Sequence, residues 1–374
     1  MRLMHIADLH LGAPLGSLGD AARQRRKERD SIFPRIIDEA VEKADMLVIS
    51  GDLFDRHDPG EALASMVRSE LGRLRDRGIP ALVVPGNHDE ITYTGSTYKD
   101  ASWERCCKLV KAPTPWPVLA DKVAGLDVYV CSCAYTGGVT RKEDLKDLPA
   151  VPEGTVGILA MHCSLDIDMP TADGDRAMRV SSEDIEAAGY SYAALGHIHK
   201  PMVKTSGRLT MVYPGLLDGM GFNDVATGRY PLVELDGSGI LVSWQTMPDL
   251  AGYAALDIDI TGMSSEDAAE TIRKEAEGAA YLQVRLTGTM PASFSPVGLK
   301  SALDPYFAYV RVESDALRLD PFELSNIAKE NSLRGAFTRR MLERLESCGS
   351  EEEGLVEAAL RKGLEALRQE VGGR

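Results

Sequence analysis

The sequence predicts a mixed α/β (α+β) protein with more than one domain and a helical tail. Three observations carry this prediction. Strand-like and helix-like runs alternate over roughly the first ninety residues. Strands then crowd together as far as Met247, and near Gly252 the alternation restarts before giving way to helices alone. At 374 residues the chain is also too long for one small core.

Each element follows from its local pattern. "RLMHIA" reads as a strand, and "DSIFPRIIDEAVEKA" as a helix with Ile32, Ile36, Ile37, Ala40 and Val41 on one face. "DMLVIS" is a buried strand, "GEALASMVRSELGRLRDRG" a helix ending at Gly78, and "PALVVPGNHD" another strand. Strands follow at "DVYVCSCAY", "TVGILAMH", "YSYAALGH", "TMVYPG", "RYPLVEL" and "GILVSWQTM". After "MPDLAGY" come a strand at "AALDIDITG", a helix capped by Ser264, a strand at "AYLQVRLTG", a short helix at "PVGLKSAL" and a strand at "YFAYVRVES". From Pro321 one amphipathic stretch carries Phe322, Ile327, Leu333, Phe337, Met341 and Leu345, and a second begins at a Ser350–Glu353 capping box. These patterns predict domains over 1–248, 249–316 and 317–374.

Composition narrows the class. Apolar residues make up 44% and charged residues 26%, as in an ordinary soluble globular protein. No apolar run is long enough to span a bilayer, and "MRLMHIADLH" enters a strand without the features of a signal peptide. The six cysteines form no C-x-x-C pair, which argues against a zinc knuckle or redox motif and for reduced thiols. These features predict a cytoplasmic protein. The net charge of −15 argues against a wholly basic nucleic-acid surface, but an acidic cleft filled by divalent cations remains compatible with DNA.

Ligand-type residues recur at the strand ends. They are Asp8 and His10 in "IADLH", Asp52 in "ISGDLFD", Asn87 and His88 in "VPGNHD", His162 in "LAMHCS", and His197 and His199 in "ALGHIH". Ligands of an α/β sheet bind beyond the carboxyl ends of its strands, so these clusters converge on one rim. Asp-x-His and His-x-His spacing puts both side chains on one side of a strand. Gly51, Gly86 and Gly196 each precede a candidate ligand, where the backbone turns sharply or approaches closely. Mixed imidazole and carboxylate donors suit two divalent ions such as manganese, iron or zinc better than magnesium or calcium. His5 reads as a core histidine.

The ordered set of D-x-H, GD, GNHD, a strand-end His and GH-x-H resembles the calcineurin-like metallophosphoesterase superfamily over roughly the first two thirds of the chain. The resemblance implies a β-sandwich flanked by helices. It implies one metal held by Asp8, His10, Asp52 and His199, and a second held by Asp52, Asn87, His162 and His197, with Asp52 bridging. It also implies that His88 is no ligand and acts on the substrate as proton donor or transition-state stabiliser. "HIADLHLG", "GDLFD", "PGNHD", "LGHIHKP" and the following "YPG" are most similar to bacterial DNA-repair nucleases of the SbcD and YhaO type. That similarity implies DNA as substrate, manganese as metal and a small α/β capping domain. It also implies C-terminal helices that dock on an SbcC-like coiled-coil ATPase, and an ability to dimerise.

Other readings stay open at this point. "GDLFDR" resembles the phosphoprotein phosphatase pattern GD-x-x-D-R-G, but His57 stands where those enzymes need Gly, and GNHD replaces their GNHE. A cyclic-nucleotide phosphodiesterase or a non-catalytic metal-binding scaffold also fits parts of the pattern. In the phosphatases the second Asp orients the catalytic His, which implies that Asp55 hydrogen-bonds His88 and raises its pKa. Arg56 reaches a phosphate or is a surface residue; Asp58 reads as a helix cap and His57 as a rim residue. In "RQRRKER" the basic residues Arg23, Arg25, Arg26 and Lys27 either form a solvated helix face or contact the DNA backbone. The tail helices either cover the fold or bind a partner.

Overall fold

The alternating apolar runs of the first half resolve into two layers of strands with helices outside them. The computed structural model describes residues 1–137, 147–166, 178–224, 228–236, 239–291 and 294–369. It divides into two compact units, Met1–Leu250 and Ala251–Arg374.

The first unit opens with β1 (Arg2–Ile6), α1 (Ala22–Asp30), α2 (Ile32–Lys43), β2 (Met46–Ser50), α3 (Glu61–Asp76), β3 (Ala81–Val84) and β4 (Lys108–Leu109). Next come β5 (Trp116–Val123), β6 (Leu126–Ser132), β7 (Val156–His162), β8 (Ser164–Leu165), β9 (Arg179–Val180), α4 (Ser182–Ala187), β10 (Tyr192–Gly196), β11 (Met202–Ser206) and β12 (Leu209–Tyr213). The unit closes with β13 (Arg229–Leu235) and β14 (Ile240–Thr246). One six-stranded sheet runs β14-β13-β1-β2-β3-β4 and the other β11-β12-β10-β7-β6-β5. Pairing is parallel from β1 through β2 and β3 to β4 in the first sheet and from β6 through β7 and β10 to β12 in the second, while β13, β14, β5 and β11 pair antiparallel.

Period-two alternation sends side chains to different cores. In β2, Met46 and Val48 face the second sheet and pack among Val130, Ile158 and Ala194. Leu47 and Ile49 face outward and pack with Phe33, Ile36 and Ile37 of α2 and with Val67 and Leu71 of α3. The second sheet buries Cys131, Leu159, Met161 and Leu195 on its outer face with Ile185 of α4. The result is the expected β-sandwich flanked by helices. His5 lies inside it, fully buried, with Nδ1 2.9 Å from the Tyr192 hydroxyl.

The second unit carries β15 (Gly252–Asp259), α5 (Ser265–Glu275), β16 (Ala279–Thr287), β17 (Thr289–Met290), α6 (Pro296–Leu303), β18 (Tyr309–Glu313) and β19 (Arg318–Leu319). Strands β15, β16 and β18 form a parallel sheet covered by Ile272 of α5 and by Leu299 and Leu303 of α6. Ser264 caps α5 in a capping box with Asp267. The tail differs from expectation. Its first stretch is two helices, α7 (Pro321–Ala328) and α8 (Leu333–Ser347), because Asp320 and Ser332 each cap a new start. Helix α9 spans Ser350–Gln369, and the Ser350 side chain of the expected capping box lies outside the described residues.

Candidate metal centre

The carboxyl ends of β1, β2, β3, β7 and β10 bring the sequence-predicted ligands to one edge of the sandwich. The loops after β1 and β2 are zipped by backbone bonds, Asp8 N–Gly51 O at 3.1 Å, His10 N–Asp52 O at 3.0 Å and Leu11 N–Leu53 O at 2.9 Å. Four candidate ligands, Asp8, His10, Asp52 and His197, have positive φ values of 54°, 44°, 47° and 99°. Non-glycine residues in that region are strained, and such strain gathers at functional sites held by their surroundings.

Close packing behind the ligands requires glycine. A Cβ on Gly51, whose φ is +96°, would stand 2.1 Å from Nδ1 of His162, and one on Gly86 would stand 2.2 Å from Oδ1 of Asp52. A Cβ on Gly196 would strike the Ser50 carbonyl at 1.9 Å.

The donor atoms fall into two groups. Nε2 of His10 and Nε2 of His199 converge to 3.2 Å, and Asp8 lies in the same cluster. Asn87 Oδ1 stands 2.9 Å from His162 Nε2 and 3.1 Å from His197 Nδ1. Asp52 Oδ2 lies between the groups, 3.8 Å from His10 Nε2 and 3.3 Å from His162 Nε2. Nδ1 of His162 donates to the Ser50 carbonyl at 3.0 Å, which turns Nε2 toward the cluster. Asp8 and Asp52, both buried, put two carboxylates within reach of several imidazoles, a donor set that fits a pair of divalent cations.

Charge is strongly coupled here. Burial works against the Asp52 charge, but His162, His10 and His88 outweigh it and hold its carboxyl well below the usual range. Burial pushes Asp8 up to about 6 against the pull of His162. Burial also works against protonation of His162, yet Asp52 and Asp8 raise it to about 9. Desolvation and the neighbouring His10 lower His199 to about 4.

Three expectations need correction. The hydrogen bond between Asp55 and His88 runs through the backbone and not the carboxylate: His88 Nδ1 donates to the Asp55 carbonyl at 3.1 Å, while Oδ1 of Asp55 stands 3.5 Å from Nδ1 of His10, and all three side chains share one cluster. The acid thus stands beside a candidate ligand and raises its pKa against the effect of burial, a placement that commonly accompanies a metal-binding imidazole. Asp58 does not cap α3; it accepts from Gly60 N at 3.3 Å, and Gly60 occupies the cap position without a side-chain bond.

The third correction concerns the basic run. Arg25 is buried and paired with Asp218, so it cannot meet a DNA backbone from this surface. Arg26 is exposed, but its guanidinium donates to the Ala13 and Pro14 carbonyls at 3.0 and 3.2 Å. Arg23, Lys27 and Arg56 are exposed. Helix α1 in effect clamps the first ligand loop: Arg29 donates to the Leu9 and His10 carbonyls at 2.9 and 3.3 Å, and Asp30 accepts from Gly12 N at 2.8 Å.

Sequence reasoning also missed Asp89, the last residue of GNHD. Fully buried, it accepts from Gly86 N at 2.7 Å, Phe54 N at 3.2 Å and the Tyr98 hydroxyl at 2.7 Å, tying the loops after β2 and β3 together. An acid immediately after a candidate catalytic His was the available signal. A cavity of ≈ 720 Å³ lined by Arg2, Asp45, Arg77 and Lys108 lies at the amino ends of the strands, away from the ligands.

Residues 1–201 match the family model described as calcineurin-like phosphoesterase. The chain is 29% identical over 276 residues to the DNA double-strand break repair protein Mre11 of Aeropyrum pernix, covering 69% of this chain and 64% of that protein. It thus spans less than two thirds of that relative's length. It is 25% identical to the uncharacterized metallophosphoesterase YhaO of Bacillus subtilis, covering 78% of this chain and 72% of that one. It is 26% identical to the Mre11 protein of Archaeoglobus fulgidus, covering 100% of this chain and 87% of that one. With over half its length matched and the motif residues gathered at one rim, the chain belongs to the calcineurin-like phosphoesterase family, a family of divalent-metal-dependent hydrolases.

Proposed function

We propose that the chain is a two-metal DNA nuclease of the SbcD type, acting in double-strand break repair with an SbcC-like coiled-coil ATPase. The observation that carries this reading is Asp52, buried between two groups of donors in a chain similar to break-repair proteins named Mre11. Asp8, His10, Asp52 and His199 would hold one cation, and Asp52, Asn87, His162 and His197 the other, with manganese the favoured metal. When bound, the pair supplies Lewis acidity toward a phosphate and a water of lowered pKa.

The chain's own residues do the rest. The Asp55 carbonyl fixes the His88 ring through Nδ1. His88 is exposed, and its Nε2 makes no hydrogen bond among the described residues. That nitrogen is the one to carry a proton to the leaving oxygen or bond a phosphate oxygen. The phosphatase alternative has the second Asp orient the catalytic His, whereas here the Asp55 carboxylate faces His10. Three large apolar side chains, Phe322, Leu333 and Leu355, lie 74%, 70% and 73% exposed on the tail helices, which supports these helices as the surface that meets the ATPase. No helix among the described residues is long and apolar enough to cross a membrane, and cysteines that form no disulfide support a cytoplasmic location.

The test is incubation of the purified chain and manganese with end-labelled DNA, beside a cyclic nucleotide and a phosphopeptide. Cleavage of DNA that a chelator stops is the expected result. Cleavage of either other substrate but not of DNA would overturn the reading.

A further inference from the structure

The loops after β2 and β3 carry a pair of rings that neither the ligand set nor the fold requires. His57 and Tyr93 stack with centroids 4.3 Å apart and planes at 21°. Tyr93 is 51% exposed, and neither ring belongs to a core cluster. The rings come from the loops after β2 and β3, the two that carry Asp52, Asn87 and His88. His57 lies two residues beyond Asp55, whose carbonyl holds His88 at 3.1 Å. Two residues of chain reach at most about 7 Å.

The backbone beneath the rings is fixed at several points. Thr97 N donates to the His57 carbonyl at 2.9 Å, and Ser96 N donates to the Tyr93 carbonyl at 3.0 Å. Trp103 Nε1 donates to the Thr97 carbonyl at 2.9 Å, and the buried Trp103 packs edge-on against Phe54 with centroids 5.9 Å apart. Lys99 Nζ donates to the Thr92 carbonyl at 3.2 Å. A half-exposed tyrosine on so constrained a loop presents a flat, oriented face at little entropic cost.

We propose that the Tyr93–His57 pair is a stacking platform for a base of the substrate, next to the phosphate held at the metal centre. The inference rests on the proposed function and sharpens it: the substrate is a base-bearing strand whose nucleotide beside the scissile phosphate is unstacked onto Tyr93. Aromatic platforms bind bases of any sequence, because every base has a π face. The adjacent Arg56, exposed on the same loop, suits the backbone of that strand.

Two otherwise identical single-stranded oligonucleotides test this, one complete and one with a single abasic nucleotide beside the cleavage position. Binding by fluorescence anisotropy and cleavage with manganese are measured for wild type, Tyr93→Ala and Tyr93→Phe. Tyr93→Ala is expected to weaken binding and kcat/KM for the complete strand on the order of tenfold. Its loss on the abasic strand is expected to be much smaller, and Tyr93→Phe to follow wild type on both. Equal losses on the two strands would show a loop clamp and overturn the platform, as would no loss on either. If wild type binds the complete strand more tightly than the abasic one through Tyr93 but cleaves neither, the nuclease reading fails while the platform stands.

Discussion

At the scale of single residues, two neighbours in contact have separate work. His88 donates to the backbone of Asp55, so the Asp55 side chain is left to steady His10. His88→Asn is therefore expected to keep manganese affinity and to lower turnover of a small phosphodiester by about 10²–10⁴. Asp55→Asn is expected to do the reverse in emphasis, weakening manganese binding by about 10–100-fold. Calorimetric titration beside kcat separates the two, and a normal metal affinity in Asp55→Asn would defeat the assignment. The ligand types were legible because imidazole and carboxylate at fixed spacing mean little else at strand ends. The direction of the Asp55 carboxylate was not, since backbone and side chain of one residue are indistinguishable in a string of letters. Arg25 was misread for a related reason. Its partner Asp218 lies 193 positions away, and a run of five cations does not say which of them turn inward.

At the scale of elements, β2, β3 and β10 deliver Asp52, Asn87 and His197 beside glycines against which neighbouring groups pack closely. Gly51→Ala adds a Cβ that overlaps His162 at a φ of +96°. The strain is expected to cost about 1–3 kcal/mol of stability. It is also expected to weaken metal binding through the displaced His162; an unchanged thermal midpoint together with unchanged manganese affinity would contradict this. Elements with strong local signals were legible: α3 ends before Gly78, at φ +71°, and α5 starts at the Ser264 capping box. The strands β5 and β11 were missed. Both sit at sheet edges and show little buried periodicity, β11 being exposed at Met202–Lys204 and β5 broken by Pro117. The break between α7 and α8 was missed because the apolar spacing runs on across the Ser332 cap.

At the scale of the molecule, stability and chemistry share the sandwich. Burial holds His5 near a pKa of about 3, against an ordinary 6.5. Between those values the unfolded chain binds a proton that the folded chain does not, so stability from this group is complete above pH 6.5 and is lost as pH falls toward 3. His5→Gln removes that titration; urea unfolding at several pH values is expected to show an acid-side slope shallower by up to one proton. An identical slope would show that His5 is not held neutral. The larger question is whether the rim binds its cations as a pair. Manganese titration of the metal-free chain by calorimetry, for wild type, His199→Ala and Asp52→Ala, answers it most directly. With Asp52 between both donor groups, wild type should take two ions. His199→Ala should lose tight binding of one, and Asp52→Ala should lose it for both. One or two ions held by Asp52→Ala at wild-type affinity would contradict the bridged centre.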